Sequence, residues 1–354
     1  MKVALIGLPQ SGMSTVFSAV TGVAVDPYAS PGPRQAVVKV PEPRLAYLTE
    51  LCHPKKITET TIEIVDVPGC SLADAKGQED WRRLLPTVRK ADLLVVVLRD
   101  FESADVPARA GGNAPETDFA AVWDELIFAD LDTVTTRVEK LEHALRKPTR
   151  THDAEKHELA LLERCREALE SEAPLSSVIQ KEEERKLMGS FAFLTEKPVV
   201  CVRNVGDDRA ASAEELVFDH VAASVTLSAS IEAEIAELDA DDRAAFLADL
   251  GLKEPARDRL IQSCYRAGGL ISFLTMGPDE VRAWTIHQGD TAVEAAARIH
   301  TDIARGFIRA ETVAYDDLVA NTDMKGARAV GKVRAEGKTY VVQDGDILLI
   351  LTSA

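Results

Sequence analysis

The sequence has little of what ties a chain to an oxidising compartment, a bilayer or a nucleic-acid backbone. Its five cysteines (Cys52, Cys70, Cys165, Cys201, Cys264) are odd in number and scattered, with no C-x-x-C pair. That spacing excludes a disulfide framework or a zinc knuckle and fits a reducing cytoplasm. Hydrophobic runs are short. The longest purely aliphatic one covers residues 93–98, far below the roughly 20 residues a membrane span needs. The opening MKVALIGLPQSG passes from apolar residues straight into a glycine loop, without the long apolar stretch and cleavage site of a secretory signal. Positive charge is also scarce. Lys and Arg total 41 against 58 Asp and Glu, a net charge of −17, which argues against coating DNA or an anionic membrane by bulk attraction and leaves room only for a local basic patch. No low-complexity tract and no repeat is present.

What is there is ample apolar text, 46% of 354 residues, enough for two or three domains. Residues 3–6 read as a short buried strand, and apolar positions at Val16, Phe17 and Val20 then follow helical spacing up to Thr21-Gly22. Residues 62–67 and 93–98 are two further strands, the second a near-continuous apolar run typical of a parallel strand covered on both faces. Strands alternating with helices predict an α/β domain with a mainly parallel sheet. From residue 118 to 146 the text is charged and helical, with Ile127, Leu131, Val134, Val138, Leu141 and Leu145 in a heptad seam. Lys147-Pro148 interrupts it, and a second helix over 155–170 puts Leu162, Cys165 and Leu169 on one face. An antiparallel hairpin is expected, either a solvent-washed helical pair or a docking arm for a partner. Strand text resumes at 198–203 and 224–227, so the hairpin reads as an insertion in the first domain. The last part, from Val281, is expected to form a separate small α+β domain with a strand over 281–286, an Ala-rich helix over 292–299 and a final strand after the turn Asp344-Gly345-Asp346.

Gly7-x-x-x-x-Gly12-Met13-Ser14-Thr15 has the spacing of a phosphate-binding loop, directly after a strand and before a helix. Glycines let backbone N–H groups turn inward around phosphate oxygens, and the helix amino terminus adds partial positive charge. Ser14 is the candidate Mg²⁺ ligand. Three further elements fall in order at strand ends: Asp66-Val67-Pro68-Gly69, where the Asp can reach the Mg²⁺ water shell and the Gly N–H the γ-phosphate; Asn204-Val205-Gly206-Asp207, in the place of a base-reading N-K-x-D; and Ser228-Ala229-Ser230, in the place of S-A-K. Ligands of such sheets bind at the carboxyl ends of the strands. The candidate nucleotide contacts are therefore Gly7, Pro9, Gln10, Ser11, Gly12, Met13, Ser14 and Thr15 from the loop, with Gly69, Asn204, Asp207, Ser228 and Ala229. Asp66 joins Ser14 as a metal candidate. His53, His287 and His300 lack metal-ligand spacing.

At these residues the chain resembles the YchF or Obg-like ATPases, P-loop proteins of the translation-factor-related class. The resemblance is densest in Pro41-Glu42-Pro43-Arg44-Leu45, Ala129-Asp130-Leu131-Asp132-Thr133 and Ile231-Glu232-Ala233-Glu234-Ile235-Ala236-Glu237-Leu238-Asp239, and continues through Val281-Arg282-Ala283-Trp284-Thr285-Ile286, Ile299-His300-Thr301-Asp302, Gly306-Phe307-Ile308-Arg309-Ala310-Glu311 and Val341-Val342-Gln343-Asp344-Gly345-Asp346. It implies a G domain over 1–117 and 191–280, an inserted coiled-coil hairpin over 118–190, and a carboxy-terminal TGS domain of β-grasp type over 281–354. It also implies ATP or GTP as ligand, Mg²⁺ bound with it, a cytoplasmic monomer, and ribosome or ribosomal-RNA contact with no role at DNA or membranes. Residues 281–354 hold nine Lys/Arg against ten Asp/Glu, and the basic cluster Lys325, Arg328, Lys332, Arg334, Lys338 is the candidate RNA surface, or else an ordinary solvated helix and turn.

The departures from the family pattern bear on activity. Met13 stands where the phosphate-loop lysine belongs, Ser30 falls on the switch-one threonine that binds Mg²⁺, and Cys70 follows the Gly69 turn. The hinge glycines after that turn give way to Gln78-Glu79-Asp80-Trp81-Arg82, and a loop histidine falls on Ala108. A charge-assisted hydrogen bond to phosphate is worth about 1.5–3 kcal/mol, and its loss should cost more in the transition state than in the bound state. Lys2 lies a strand's length away, about 16 Å at ~3.3 Å per residue, and cannot substitute; Arg34 is the better candidate. Three readings follow: a nucleotide-binding, ribosome-associated protein with impaired hydrolysis; an active ATPase or GTPase using a displaced cation; or a nucleotide-independent scaffold. A thiol at Cys70 would be oxidisable only if its pKa were lowered.

Overall fold

The computed structural model describes residues 1–24, 32–72, 74–103, 113–146, 152–212, 214 and 216–353. The chain opens with β1 (Lys2–Ile6), α1 (Met13–Thr21), β2 (Arg34–Lys39), α2 (Arg44–Cys52), β3 (Lys56–Thr58), β4 (Thr61–Asp66), α3 (Ala75–Arg89) and β5 (Leu93–Asp100). Helices α4 (Pro115–Ala144), α5 (His152–Glu170) and α6 (Glu182–Met188) precede β6 (Val199–Val205) and β7 (Ala223–Leu227), followed by α7 (Ala229–Glu237), α8 (Ala240–Asp249) and α9 (Ala256–Ala267). The remainder is β8 (Leu270–Thr275), β9 (Glu280–His287), α10 (Ala292–Ile299), α11 (Thr301–Arg305), β10 (Phe307–Ala314), α12 (Tyr315–Ala320), α13 (Met324–Ala329), β11 (Arg334–Glu336) and β12 (Asp346–Thr352). Two compact units result: Met1–Val37 with Glu63–Cys264, and Val38–Ile62 with Tyr265–Ala354.

The first sheet has the order β2-β4-β1-β5-β6-β7, and β4, β1, β5, β6 and β7 run parallel. Parallel strands need crossovers, which cover both faces, so the strands are apolar on both. Ala4, Ile6, Val65, Leu94, Val96 and Cys201 enter one core, and the intervening Val3, Leu5, Val95 and Val200 are equally buried. β5 and β6 pair directly although α4, α5 and α6 lie between them in the chain. Within that excursion Ile127, Val134, Val138 and Leu141 of α4 are buried with Leu161, Leu162, Cys165 and Leu169 of α5, while Leu131 and Leu145 of the seam are half-buried. Arg137 donates to both carboxylate oxygens of Glu158 at 2.7 and 2.8 Å.

One buried carboxylate fastens this excursion to α3 and to the segment that leads into β6. Asp130, fully buried on α4, accepts from Arg89 of α3 at 2.9 Å and from the Thr195 backbone N–H and hydroxyl at 2.8 and 3.0 Å. A buried charge is tolerable only when paired and fully hydrogen-bonded, and this one is.

The second unit carries a mixed sheet of order β11-β10-β12-β8-β9-β3. Alternate residues of its strands face opposite sides. Phe273, Ile286, Ala310 and Leu348 meet Ala292, Ala295 and Ala296 of α10, whereas Leu274, Ala283, Val313 and Ile347 meet Leu45 and Leu48 of α2. A capping box starts α10: the Thr291 backbone N–H donates to Glu294 at 2.7 Å. The sheet draws in β3 and β8, which lie outside the segment read from sequence as a separate small domain. Its three-residue β3 has no pattern of its own and is held by parallel pairing with β9. β2 was likewise not legible as a strand, because Val37 is 68% exposed and breaks any apolar alternation. Among the described residues no helix is long and apolar enough to cross a membrane.

Candidate nucleotide-binding site

Residues 7–12 turn between β1 and α1 under tight steric control. A Cβ on Gly7 would lie 2.6 Å from the Val97 carbonyl oxygen of β5, so only glycine allows this approach. Gly12 has φ 89° and would drive a Cβ into the Asn204 side-chain nitrogen. With Gln10 at φ 63°, the loop passes twice through the left-handed region, the kind of conformation that turns successive N–H groups to one side. No side chain caps α1, so its first-turn N–H groups point out of the helix without a partner from the cap. The Ser11 hydroxyl is buried and makes no hydrogen bond. Thr15 is exposed, and Pro9 backbone atoms press towards Gly69, 3.1 Å from where its Cβ would stand.

Met13 is 6% exposed. Its sulfur lies 3.3 Å from the position a Gly7 Cβ would take, and its methyl 2.8 Å from that of Gly69. The thioether thus spans from the phosphate loop to the turn after β4, a neutral group filling the gap between two glycines. Ser14, next on the helix, donates its hydroxyl to Asp66 Oδ2 at 3.1 Å. Arg34, the first residue of β2, brings Nη1 to 3.9 Å from the same oxygen, which the sequence alone did not locate. Asp66 Oδ1 is buried without a hydrogen bond, as is Arg34 Nη1. Burial pushes the Asp66 carboxyl above the usual carboxylate range, against the opposing pull of the Ser14 hydroxyl and the Arg34 charge. An acceptor left bare beside a serine hydroxyl fits a hydrated divalent cation. Among the described residues no cluster of three or more His, Cys, Asp or Glu side chains could hold a metal alone, so such a cation would take most of its oxygens from a ligand and from water, the habit of Mg²⁺.

Asn204 is engaged within the chain itself. It is 3% exposed; its amide nitrogen donates to the Ser11 carbonyl at 3.1 Å and its Oδ1 accepts from the Ala229 N–H at 3.0 Å. It therefore clamps the phosphate loop to the turn that begins α7. Ser228 caps that helix, and both Ser228 and Ser230 donate hydroxyls to Asp207 Oδ1 at 2.5 Å. The elements at four strand ends are thereby joined in one network, leaving Asp207 exposed with Oδ2 unengaged.

A family model for the carboxy-terminal part of YchF-type GTPases, described as a protein of unknown function, matches residues 270–352, and one described as a 50S ribosome-binding GTPase matches residues 2–147. The ribosome-binding ATPase YchF of Bacillus subtilis is 39% identical over 97% of this chain and 97% of its own length. That of Escherichia coli O157:H7 is 36% identical over 99% and 98%. The chain belongs to the YchF family. The structure of the Schizosaccharomyces pombe YchF GTPase covers 99% of this chain and 97% of its own, with a TM-score of 0.84 at 28% identity.

In this YchF-family chain Gln78-Glu79-Asp80-Trp81-Arg82 lie within the helix α3. Trp81 lies within α3, 7% exposed in the main core, with its indole N–H buried and unpaired. Cys70 is 8% exposed, and burial, reinforced by the Asp80 charge, pushes its thiol above the ordinary range, which removes the condition for easy oxidation. Ser30 and Ala108 lie outside the described residues. Of the basic cluster, Arg328 pairs with Glu311 at 2.6 Å, Lys332 with Asp317 at 3.0 Å and Arg334 with Glu336 at 3.2 Å. Lys325 and Lys338 are exposed and have no acidic partner among the described residues. Three of the five charges are thus neutralised within their own unit.

Proposed function

We propose that this YchF-family protein binds ATP or GTP together with Mg²⁺ on the residue 7–15 loop, associates with the ribosome, and turns nucleotide over slowly. The observation that carries this is Met13: a loop shaped for phosphate, with glycines at Gly7 and Gly12 and Asp66 and Ser14 in register, closes around a thioether where a fixed ammonium is needed. Backbone N–H groups and the helix terminus supply binding without the lysine. Stabilising the charge that moves during phosphoryl transfer needs the cation itself. Ser14 and Asp66, with Ser30, are the residues we assign to the metal, whose role when bound is to neutralise phosphate charge.

Adenine is the better base. Asp207 Oδ1 already accepts two hydroxyls, so one carboxylate oxygen is left, and guanine's paired N1–H and N2–H₂ donors need both. Ribosome contact is supported by the names of the relatives, and we place it on the carboxy-terminal TGS-type region at Lys325 and Lys338, with Arg328, Lys332 and Arg334 as weaker contributors since each already has an acid beside it. Purified protein incubated with ATP or GTP and Mg²⁺ tests the central claim. Binding with little phosphate release is expected, and turnover at an ordinary NTPase rate refutes it.

A further inference from the structure

We infer that Arg34 is the cation that receives the terminal phosphate of a nucleoside triphosphate, replacing from the opposite side of the site the charge that Met13 lacks. This rests on the nucleotide-binding reading above and adds a residue and a selectivity to it. Arg34 opens β2, the strand beside β4, and its guanidinium stands 3.9 Å from Asp66 Oδ2. The same oxygen accepts the Ser14 hydroxyl. The arginine therefore lies at the metal end of the loop, where the β4 turn and its Gly69 would meet the outermost phosphate.

Two features make it more than a structural ion pair. At 3.9 Å no hydrogen bond joins it to Asp66, and Nη1 is buried without any acceptor. A guanidinium offers five donors in a planar fork suited to paired phosphate oxygens, and here one arm is withdrawn from water with no hydrogen-bond acceptor among the described residues. Asp66 Oδ1 and the Ser11 hydroxyl are buried and without a hydrogen bond too. Unpaired donors and acceptors on residues linked through Asp66 and the loop fit a ligand that brings both anionic oxygens and a cation. The charge sum agrees: Asp66 and Arg34 cancel, as a loop lysine and Asp66 would. The charge is conserved but displaced. From the Asp66 side it can hold the terminal phosphate in the ground state, yet it does not occupy the position between the β and γ groups, which keeps slow transfer compatible with selective binding.

The test is calorimetric titration of the full chain with Mg²⁺ and ADP, GDP or their non-hydrolysable triphosphate counterparts, using wild type, Arg34→Gln, Arg34→Lys and Arg34→Gln combined with Met13→Lys. Arg34→Gln should weaken triphosphate binding by about ten- to a hundredfold while leaving diphosphate binding within about threefold. Arg34→Lys should retain part of the preference, and Met13→Lys should restore triphosphate affinity to Arg34→Gln. Equal losses for di- and triphosphate, or none, with wild type binding normally, overturn this inference alone. A wild-type protein that binds no nucleotide overturns it together with the nucleotide-binding reading.

Discussion

Met13→Lys is the sharpest single perturbation of this site. The two side chains are of similar length, so the new ammonium would lie along the path of the thioether, between Gly7 and Gly69. Without ligand it gains a charge where Met13 is 6% exposed, and a buried, imperfectly paired charge is destabilising by about 1–3 kcal/mol or more. The apo melting temperature should therefore fall. With a triphosphate and Mg²⁺, the same ammonium makes a charge-assisted bond worth about 1.5–3 kcal/mol, or roughly ten- to a hundredfold in Kd. Turnover should rise further, by about 10²–10³, the usual cost of losing one preorganised charge-stabilising group. Thermal shift across a nucleotide titration separates the effects, since ligand stabilisation grows as RT ln(1 + [L]/Kd): a lower starting temperature and a larger ligand-dependent rise. If the variant's triphosphate affinity and phosphate release both stay within twofold of wild type, the account of Met13 as the missing charge is wrong.

Removing the Asp130 carboxylate, as in Asp130→Ala, leaves the half-buried Arg89 and the buried Thr195 groups without their acceptor and should cost about 3–5 kcal/mol in urea unfolding; a loss under 1 kcal/mol would show that this knot is dispensable. Burial raises the thiols of both Cys70 and Cys52 above the ordinary range, so it is access that separates them: Cys52 is half-buried and Cys70 buried, and alkylation followed by mass spectrometry should label Cys52 before Cys70 at pH 7.5, with both labelled faster in alkaline buffer. Rapid neutral modification of Cys70 contradicts the burial. Lys325→Glu with Lys338→Glu should reduce ribosome co-sedimentation and flatten its salt dependence, whereas Arg328→Glu with Lys332→Glu should also weaken the unit by breaking the contacts with Glu311 and Asp317; unchanged co-sedimentation in the first pair removes the basic surface from consideration.

The legible parts of this chain are those whose signal is local. β5 declares itself through six consecutive aliphatic residues, and α4 through its heptad seam, most of which is buried. Gly7, Asp66 and Ser228 could be placed at strand ends because each closes an apolar stretch, and Gly12 and Asn204 by their spacing within motifs that follow such stretches. The pairing of β3 with β9 could not be read, since parallel partners far apart in sequence leave no periodic trace. Nor could the role of Asn204. Its position in a base-reading motif points outwards, yet the structure turns its amide inwards to the Ser11 carbonyl and the Ala229 N–H. Arg34 was visible as a charge near switch one, but its approach to Asp66 depends on β2 lying beside β4, which an exposed Val37 disguises.

With Met13 in the lysine position the loop still takes a phosphate-binding turn, and the contacts that shape it do not involve a charge at the end of that side chain. The close approach of the Val97 carbonyl admits only glycine at residue 7, Asn204 and a positive φ require it at residue 12, and Asn204 ties the Ser11 carbonyl to the Ala229 N–H. Those contacts are internal to the unit and survive any change at residue 13 that fills the same volume without charge, which an unbranched, flexible thioether does. Binding and turnover therefore separate along physical lines. The first draws on N–H groups fixed by the backbone and on a displaced arginine; the second requires a cation at the point where charge moves. If the proposed reading holds, such a site keeps a preference for a triphosphate at low turnover, and the difference in affinity between tri- and diphosphate is the quantity that decides it.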